Sequence, residues 1–331
     1  MKKINLNERI FVAGANGMVG SAVCRKLLEA GYGDKSKGGE ILHPSRKSLN
    51  LLDQKQVQDW FFKYKPTVVI IAAAKVGGIL ANSNSPVNFL LENIKIQNNL
   101  IETSWENNVK RLIFLGSSCI YPKFAKQPIK EEYLLTNSLE PTNQWYAVAK
   151  IAGIKLCEAL RIQYGFDALS LMPTNLYGPG DNYHPINSHV LPAFIRKFSE
   201  AVRNSSQEVI CWGTGSSLRE FMYVEDLADA IIFSLEFWDP TNHGAPRDEN
   251  GRPLLFLNVG TGKDISIKKL AEKIANATGF KGSIIWDKSK PDGTPKKQLD
   301  TSKLRELGWV SKTNLDEGIK LTIKNFNNQN L

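Results

Sequence analysis

Short apolar segments alternate with helical patterns over the first half of the chain. Five segments rich in aliphatic residues predict strands at residues 9–14, 40–46, 67–74, 110–118 and 167–175. The stretches between them carry apolar residues at helical spacing and predict helices at residues 18–32, 55–65, 86–108 and 146–165. Strands that alternate with crossover helices predict an α/β fold built on a doubly wound parallel sheet.

The regular alternation ends near residue 178, where loops rich in Gly, Pro and Asn begin. Later patterns predict helices at 189–204 and 266–279 and strands at 207–213 and 282–287. These elements are too few and too irregular to continue the doubly wound sheet. They predict a smaller C-terminal α/β lobe.

Two domains follow from this change of pattern. We expect a sheet domain at residues 1–177 and a lobe that is mainly substrate-binding at residues 178–331. Segments near 219–238 and 255–262 have the patterns of a strand–helix pair and a strand, and we expect them to return to the first domain.

Composition places the chain among soluble globular proteins, with 42% hydrophobic and 23% charged residues in a total of 331. No apolar run approaches the roughly 20 residues needed to span a bilayer. The polar start, MKKINLNERIFVAG, is unlike a signal peptide. We therefore expect a cytoplasmic protein with no membrane partner.

The formal net charge of +9 raises the question of nucleic-acid binding. The basic residues are scattered along the chain, whereas nucleic-acid binding needs them on one face or stripe, so we expect no nucleic-acid partner. The four cysteines form no CxxC pair and have no metal-ligand spacing with the four histidines. The sequence therefore predicts neither disulfides nor a metal site.

Three glycines follow the first predicted strand and open the first predicted helix. Gly14, Gly17 and Gly20 form the motif GANGMVG, with the spacing GxxGxxG. Glycine is required where a backbone turns tightly, approaches a pyrophosphate or lets a helix pack closely on a strand. The N-terminus of the following helix then meets the phosphates with free N–H groups. The motif predicts a Rossmann-type dinucleotide site in the first domain.

The end of the second predicted strand bears on the choice of dinucleotide. An acidic residue there binds the ribose 2′-hydroxyl of NAD, whereas an arginine accommodates the 2′-phosphate of NADP. The segment HPSRKSLNLLD places Arg46 at this point and has no acidic residue before Asp53. The sequence therefore favours NADP(H), with a solvated basic turn as the alternative reading of Arg46.

A tyrosine and a lysine stand one helical turn apart in the motif WYAVAK. Tyr146 and Lys150 share one face of the predicted helix, so the ammonium can stabilise the anion of the phenol. A neutral tyrosine, with an ordinary pKa of about 10, can donate a proton to a ketone oxygen during reduction. Ser117, at the end of the fourth predicted strand, would hydrogen-bond the same oxygen. The three residues predict a ketoreductase site.

Cys119 lies two residues beyond Ser117, in FLGSSCIYP. From the residues alone, three roles are open to this thiol: packing, redox chemistry or acid/base catalysis. From the residues alone, His189, in NSHV, is interpreted as a polar histidine of a loop.

These motifs identify a resemblance. GxxGxxG, Ser117 and the Tyr146–Lys150 pair resemble the extended short-chain dehydrogenase/reductases, which act largely on nucleotide sugars. The chain is most similar to their epimerase-reductases of GDP-4-keto-6-deoxy-D-mannose, on the segments AAAKVGGI, GSSCIYPK, AKQPI, AKIAGIKLCE, MPTNLYGP, NSHV and SKPDGTP. The similarity extends over nearly the whole chain.

The resemblance implies a two-step reaction and two further catalytic residues. The sugar is inverted at ring positions 3 and 5, and its 4-ketone is then reduced with NADPH. Inversion needs acid/base groups on both faces of the ring, and Cys119 and His189 match the family's catalytic cysteine and histidine. Their ordinary pKa values, about 8.5 and 6.5, bracket neutral pH. His184, in NYHP, we expect to be structural.

The resemblance also implies binding residues and an assembly. The expected cofactor-binding residues are Gly14, Asn16, Gly17, Met18, Val19, Gly20, Arg46, Leu115, Gly116, Ser118, Lys150, Pro173, Thr174, Asn175, Leu176 and His189. The expected residues for the GDP-sugar substrate are Lys197, Trp212, Arg219, Asp292 and Lys297. Enzymes of this family are commonly dimers through two helices that flank the central strands, so we expect a homodimer.

The chain departs from the family pattern at three places. Asn16 stands where some relatives have an arginine, and Lys197 stands where the family can have one. The segment at 34–39 lengthens the loop before the second strand. Since Asn16 and this loop both bear on cofactor preference, Arg46 has to carry the preference for NADP.

Two alternatives remain at the level of sequence. One is a different nucleotide-sugar enzyme of the same fold: a 4-epimerase, a 4,6-dehydratase or another reductase. Dehydratases of this fold usually carry an acidic pair beside the serine, where this chain reads SSC. The other is a non-catalytic NADP-binding regulator, which predicts a broken catalytic set, whereas Ser117, Tyr146 and Lys150 are all present.

Overall fold

Strands and helices alternate along most of the chain in the computed structural model, which describes residues 2–290 and 292–329. The strands are β1 (Arg9–Ala13), β2 (Glu40–Leu42), β3 (Val68–Ile71), β4 (Arg111–Leu115), β5 (Ala168–Pro173), β6 (Asn175–Tyr177), β7 (Glu208–Trp212), β8 (Leu218–Tyr223), β9 (Phe256–Val259), β10 (Asp264–Ser266), β11 (Ser283–Asp287) and β12 (Lys296–Lys297). The α-helices are α1 (Met18–Glu29), α2 (Gln54–Tyr64), α3 (Ile79–Asn84), α4 (Pro86–Glu106), α5 (Gln144–Tyr164), α6 (Val190–Arg203), α7 (Val224–Phe237), α8 (Ile267–Thr278), α9 (Ser302–Glu306) and α10 (Leu315–Gln329).

The central sheet contains six parallel strands in the order β2-β1-β3-β4-β5-β9. The predicted doubly wound parallel sheet is therefore confirmed. The strand order reverses between β1 and β3, and parallel sheets of this type bind ligands beyond the carboxyl ends of their strands. The glycine turn after β1 and Ser117 after β4 both lie at this edge.

Two apolar cores cover the two faces of the central sheet. Side chains that alternate along β1 divide between them: Val12 faces a core shared with α1 and α7, whereas Phe11 faces a core shared with α2, α4 and α5. Both side chains are fully buried. A strand that packs on both faces must be apolar at every position, which is why these segments read as unbroken apolar runs.

The second lobe has its own core and shorter strands. β8 pairs with β10, β12 and β6, while β7 pairs in parallel with β11. Helices α6, α8 and α10 enclose this core, in which Phe198 and Leu270 are fully buried. Ser266 opens α8 by accepting a hydrogen bond from the N–H of Lys269, the expected role of a serine N-cap.

Two parts of the later chain belong to the first core. β9 completes the edge of the central sheet, and α7 packs against α1 with buried side chains such as Ile231. The boundary at residue 177 stays a prediction.

The second strand is shorter than predicted. β2 ends at Leu42, and the chain turns soon after, where the carbonyl oxygen of Ser45 accepts a hydrogen bond from the N–H of Ser48. Among the described helices, none is both long enough and apolar enough to cross a membrane.

Candidate active site

The chain makes a tight turn where β4 ends. The side chain of Ser117 caps a short 3₁₀ helix, Ser118–Ile120, by accepting a hydrogen bond from the N–H of Cys119 at 3.2 Å. Ser118 is buried, whereas Ser117 and Cys119 remain partly exposed. Gly116 fits closely, because a Cβ there would collide with the sulfur of Met172. The turn therefore presents one hydroxyl and one thiol at the carboxyl edge of the sheet.

Helix α5 places a phenol and an ammonium beside this turn. Burial and the neighbouring Cys119 raise the pKa of Tyr146, while the adjacent Ser117 hydroxyl opposes that rise. Lys150 is buried and donates a hydrogen bond to the carbonyl oxygen of Leu115 at 2.8 Å. Its Nζ lies 5.8 Å from the centre of the Tyr146 ring. Burial lowers the pKa of Lys150 to about 7.

Two nitrogen donors face the sulfur of Cys119. The side-chain amide of Asn143 lies 3.4 Å from Sγ, and the Nζ of Lys297 lies 3.8 Å from it. Asn143 is the N-cap of α5, and Lys297 comes from β12 in the second lobe. Arg219 pairs with Lys297 in the sheet. Burial lowers the pKa of Arg219, and the nearby Cys119 opposes this shift. The thiol therefore lies where both lobes contribute groups.

His189 lies at the start of α6 as its N-cap residue. Surrounding protein lowers the pKa of its imidazole by desolvation, although the side chain still has an exposed surface. The preceding loop contacts the loop after β3, since Gly78 donates from its N–H to the carbonyl oxygen of Asn187 at 3.3 Å.

The glycine turn after β1 has the shape of a phosphate-binding loop. Gly14 has φ of +87°, and a Cβ there would approach the N of Ala73 to 2.7 Å. A Cβ on Gly20 would collide with the carbonyl oxygen of Gly14. Helix α1 begins after Gly17 with no side-chain cap and no acidic residue in its first turn. Its first N–H groups are thus left for an anion, so the turn fits a dinucleotide diphosphate. Asn16 is exposed at this turn, and Met18 and Val19 follow it, partly buried, in the first turn of α1.

Arg46 lies in the exposed turn that follows β2. Within residues 2–290 and 292–329, no carboxylate forms an ion pair with it. Its position fits the expected contact to a 2′-phosphate.

The segment at the end of β5 is anchored by hydrogen bonds to β8. Thr174 and Asn175 both donate side-chain hydrogen bonds to the carbonyl oxygen of Glu220, at 3.2 and 2.7 Å. Pro173 and Thr174 are buried, and Leu176 is partly buried. The carboxylate of Glu220 is itself fixed by the N–H groups of Thr261, Gly262 and Leu299. This network fixes residues 173–176 to the second lobe.

The expected substrate residues come from several parts of the second lobe: Lys197 from α6, Trp212 from β7, Arg219 from β8, Lys297 from β12 and Asp292 from the loop before β12. Lys197 donates to the carbonyl oxygen of Ile210 at 2.7 Å, and its Nζ lies 5.7 Å from the centre of the Trp212 ring. Trp212 is 46% exposed, so its face is open to a ligand. Both carboxylate oxygens of Asp292 accept hydrogen bonds from Thr214. The carbonyl oxygen of Asp292 accepts from Arg219 at 3.4 Å.

Sequence reasoning missed two residues in this region. Asn143 contacts Cys119. Lys290 places its Nζ 5.7 Å from the centre of the Trp212 ring, the same distance as that of Lys197. The position of Asn143, three residues before Tyr146, is a signal that could have found it. Lys290 belongs to the motif SKPDGTP but was not singled out from it. In the described residues, no group of His, Cys, Asp and Glu is arranged to hold a metal ion.

Comparison with known proteins assigns the class. The NAD dependent epimerase/dehydratase family matches residues 10–246, which include the glycine turn, the β4 turn, Tyr146 and His189. The chain belongs to the NAD dependent epimerase/dehydratase family.

Individual relatives narrow this class. GDP-L-fucose synthase 1 of Arabidopsis thaliana is 52% identical over 316 residues, covering 96% of this chain and 92% of the relative. GDP-L-fucose synthase of Escherichia coli is 48% identical, with 96% of each chain covered. A solved structure of a GDP-mannoheptose C4 reductase from Campylobacter jejuni with NADP bound is 35% identical, with a TM-score of 0.84, and covers 98% of this chain and 99% of its own. Within its family, the chain groups with the GDP-L-fucose synthases.

Proposed function

We propose that the chain epimerises GDP-4-keto-6-deoxy-D-mannose at C3 and C5 and reduces the 4-ketone with NADPH, giving GDP-L-fucose. The observation that carries this proposal is the position of Ser117, which contacts the N–H of Cys119 and lies beside the phenol of Tyr146. A single sugar ring at Ser117 therefore meets both a thiol and a phenol.

In the epimerisation, Cys119 and His189 exchange protons with the carbons next to the ketone. These C–H protons are acidic because the negative charge left behind spreads onto the ketone oxygen. The side chains of Asn143 and Lys297 donate toward the sulfur of Cys119, which we assign to remove the proton. His189, after it takes a proton from solvent, donates that proton from the opposite face, and this return inverts the carbon. Cys119 releases the proton it has taken to solvent before the second inversion.

In the reduction, Tyr146 donates a proton to O4 as a hydride reaches C4. NADPH, when bound, supplies that hydride. Burial raises the pKa of Tyr146, so the phenol is protonated and ready to donate at neutral pH. Ser117 hydrogen-bonds O4, and Lys150 stabilises the phenolate that remains.

The cofactor would bind along the carboxyl edge of the central sheet. The turn around Gly14, Gly17 and Gly20 would hold the diphosphate, and Arg46 would hold the 2′-phosphate. Leu115, Gly116 and Ser118 would line the path to Lys150, while residues 173–176 and His189 would border the nicotinamide. The glycine turn, the β4 turn and the end of β5 all lie at the carboxyl edge of this sheet.

The GDP part of the substrate occupies the second lobe. Lys197 and Lys290 provide positive charge at the ring of Trp212, and Arg219 adds a cation beside Asp292, an arrangement that suits a diphosphate and a stacked base. Asp292, held by Thr214, keeps acceptor capacity for a nucleoside donor. Lys297 completes the set beside Cys119.

The protein is a homodimer in this proposal. Helix α5 exposes a stripe at a spacing of three and four residues, namely Trp145, Val148, Ala152, Lys155, Ala159 and Ile162. Five of these six residues are apolar, and Ile162 is 75% exposed. A stripe with this spacing packs well against a second helix. A copy of the same helix is the partner that we propose.

A cytoplasmic location is proposed with it. The four cysteines are free thiols, and Cys119 needs to stay reduced to act as an acid or a base. A reducing compartment maintains that state.

The test is a reaction in heavy water with purified protein, GDP-4-keto-6-deoxy-D-mannose and NADPH. We expect loss of NADPH absorbance and deuterium at C3 and C5 of the product. NADPH loss without deuterium would identify a plain ketoreductase, the activity of several structural neighbours. Cys119→Ser serves as the control: it should remove most of the label while leaving NADPH binding, measured by fluorescence, unchanged.

A further inference from the structure

A second histidine orders the loop that precedes His189. The Nδ1 of His184 accepts hydrogen bonds from the N–H groups of Ile186 and Asn187, each at 3.2 Å. A ring nitrogen that accepts carries no proton, so the neutral ring has its hydrogen on Nε2. His184 is in turn fixed by Asn182, whose side-chain oxygen accepts from the His184 N–H at 3.0 Å.

The loop ordered in this way is seated against the first lobe. The carbonyl oxygen of Asn187 accepts from the N–H of Gly78, and a Cβ on Gly78 would approach the carbonyl oxygen of Ser188 to 3.0 Å. The N–H of Ser188 donates back to the carbonyl oxygen of His184 at 3.3 Å. His189 follows directly, with its carbonyl oxygen accepting the first hydrogen bond of α6.

We propose that His184 is a positioning residue for His189, because its imidazole holds residues 185–188 in the conformation that sets the position of His189 at the start of α6. The inference rests on the proposed function, since it assigns His189 to the epimerisation. The side chain of His184 is exposed. Water can therefore hydrogen-bond the two N–H groups when the ring is removed. Removal of the ring should then change the conformation of the loop and leave the fold stable.

Three substitutions separate this role from a general structural one. Asparagine places its Oδ1 close to the position of Nδ1 and accepts hydrogen bonds from backbone N–H groups two and three residues ahead. Glutamine is polar and larger, but its acceptor lies one bond further from the backbone. Alanine has no acceptor. His184→Asn should therefore behave like the natural chain, whereas His184→Gln and His184→Ala should not.

The measurement is the rate of deuterium incorporation at C3 and C5, compared with the initial rate of GDP-L-fucose oxidation by NADP⁺. Oxidation needs Tyr146 but no epimerisation, so it reports both folding and the reductive half of the site. The rate is measured at saturating NADP⁺, so that a weaker contact of His189 with the cofactor does not enter the comparison. We expect His184→Ala and His184→Gln to incorporate label about 10-fold more slowly or worse, with oxidation changed less than about 3-fold. His184→Asn should restore label incorporation to within about 3-fold. His243→Ala, at an exposed histidine of another loop, serves as a control.

Equal label incorporation in all three variants would overturn the inference, and so would an equal loss in all three. A parallel fall of oxidation and incorporation would also overturn it, because the residue would then support the whole fold. A natural chain that incorporates no label contradicts the proposed function itself, and this outcome is read before any variant is made.

Discussion

The Nζ of Lys297 lies 3.8 Å from the sulfur of Cys119, although 178 positions separate the two residues in the chain. The contact arises because β12 pairs with β8, which places Lys297 opposite Arg219 and at the mouth of the β4 turn. A cation at this distance stabilises the anion of a thiol by Coulomb attraction. The second lobe therefore supplies the charge that the proposed base in the first lobe requires.

Replacing this lysine should slow the epimerisation selectively. In Lys297→Met the thiolate of Cys119 loses its cation, and we expect deuterium incorporation to slow about 10-fold, which corresponds to about 1.4 kcal/mol. Alkylation of Cys119 by iodoacetamide at pH 8, followed by peptide mass spectrometry, should slow in parallel. The matched control is Lys296→Met, because Lys296 forms an ion pair with Asp264 at 3.2 Å instead. Equal alkylation rates in the two variants would show that Lys297 does not act on the thiol.

Removal of one hydroxyl should block the reduction. Tyr146→Phe keeps the ring but cannot protonate O4, so NADPH oxidation should slow by about 10² to 10⁴-fold. Deuterium exchange at C3 and C5 should continue, since Cys119 and His189 are untouched. Tyr164→Phe, at an exposed position of the same helix, is the control. Lost exchange with normal reduction would mean that the roles of Tyr146 and Cys119 are reversed.

Arg46 should determine the preference for NADPH over NADH. Arg46→Ala removes the cation that we assign to the 2′-phosphate, so the KM for NADPH should rise about 10-fold. The KM for NADH should change little, because NADH has no phosphate there. Arg203→Ala removes an equally exposed arginine at the end of α6 and controls for net charge. Equal rises in both KM values would place Arg46 outside the phosphate site.

The exposed stripe on α5 should mediate dimerisation. Light scattering should give a mass near twice the 37.0 kDa of one chain. Ala152→Glu introduces a charge at the centre of the stripe and should shift the mass to that of one chain. Phe62→Glu changes a side chain on α2 that is 76% exposed and should leave the mass unchanged. A dimer that persists in Ala152→Glu would assign the interface to another surface.

The first lobe could be predicted from the sequence because its strands are buried on both faces and its helices are amphipathic. The second lobe could be predicted only in part: α6, α8, β7 and β11 match predicted elements, whereas the sheet around β8 is assembled from strands as short as Lys296–Lys297 and Asp264–Ser266. Such segments are too short to show an alternation of polar and apolar residues. Helix α10 was not predicted for another reason: Gly318 and the polar residues near its end obscure its apolar face.

The candidate site shows the same division. Ser117, Tyr146 and Lys150 follow from a local spacing on two elements of one domain. The catalytic role expected of Cys119 rests instead on the family resemblance, because the residues alone left packing and redox chemistry open. The contact between Cys119 and Lys297 depends on a pairing of strands far apart in sequence, which no local motif encodes. Asn143 and Lys290 were missed because each contacts a residue distant in sequence within its own lobe, Cys119 and Trp212, and no local motif encodes these contacts.

A buried carboxyl group near the site should make stability depend on pH. Burial raises the pKa of Glu131 from 4.5 to about 7, and its Oε1 accepts a hydrogen bond from the N–H of Asn258. The folded state therefore holds this proton more tightly than the unfolded state, so the group's contribution to stability falls as pH rises from about 4.5 to 7. Glu131→Gln keeps the acceptor and stays neutral, so its melting temperature should gain on that of the natural chain by a few degrees between pH 5 and pH 8, equivalent to about 1 to 3 kcal/mol. The control is Glu132→Gln, at the half-buried neighbour that pairs with Lys130, and it should show no such gain. If the melting temperatures of Glu131→Gln and the natural chain differ by the same amount at pH 5 and pH 8, the assignment is wrong.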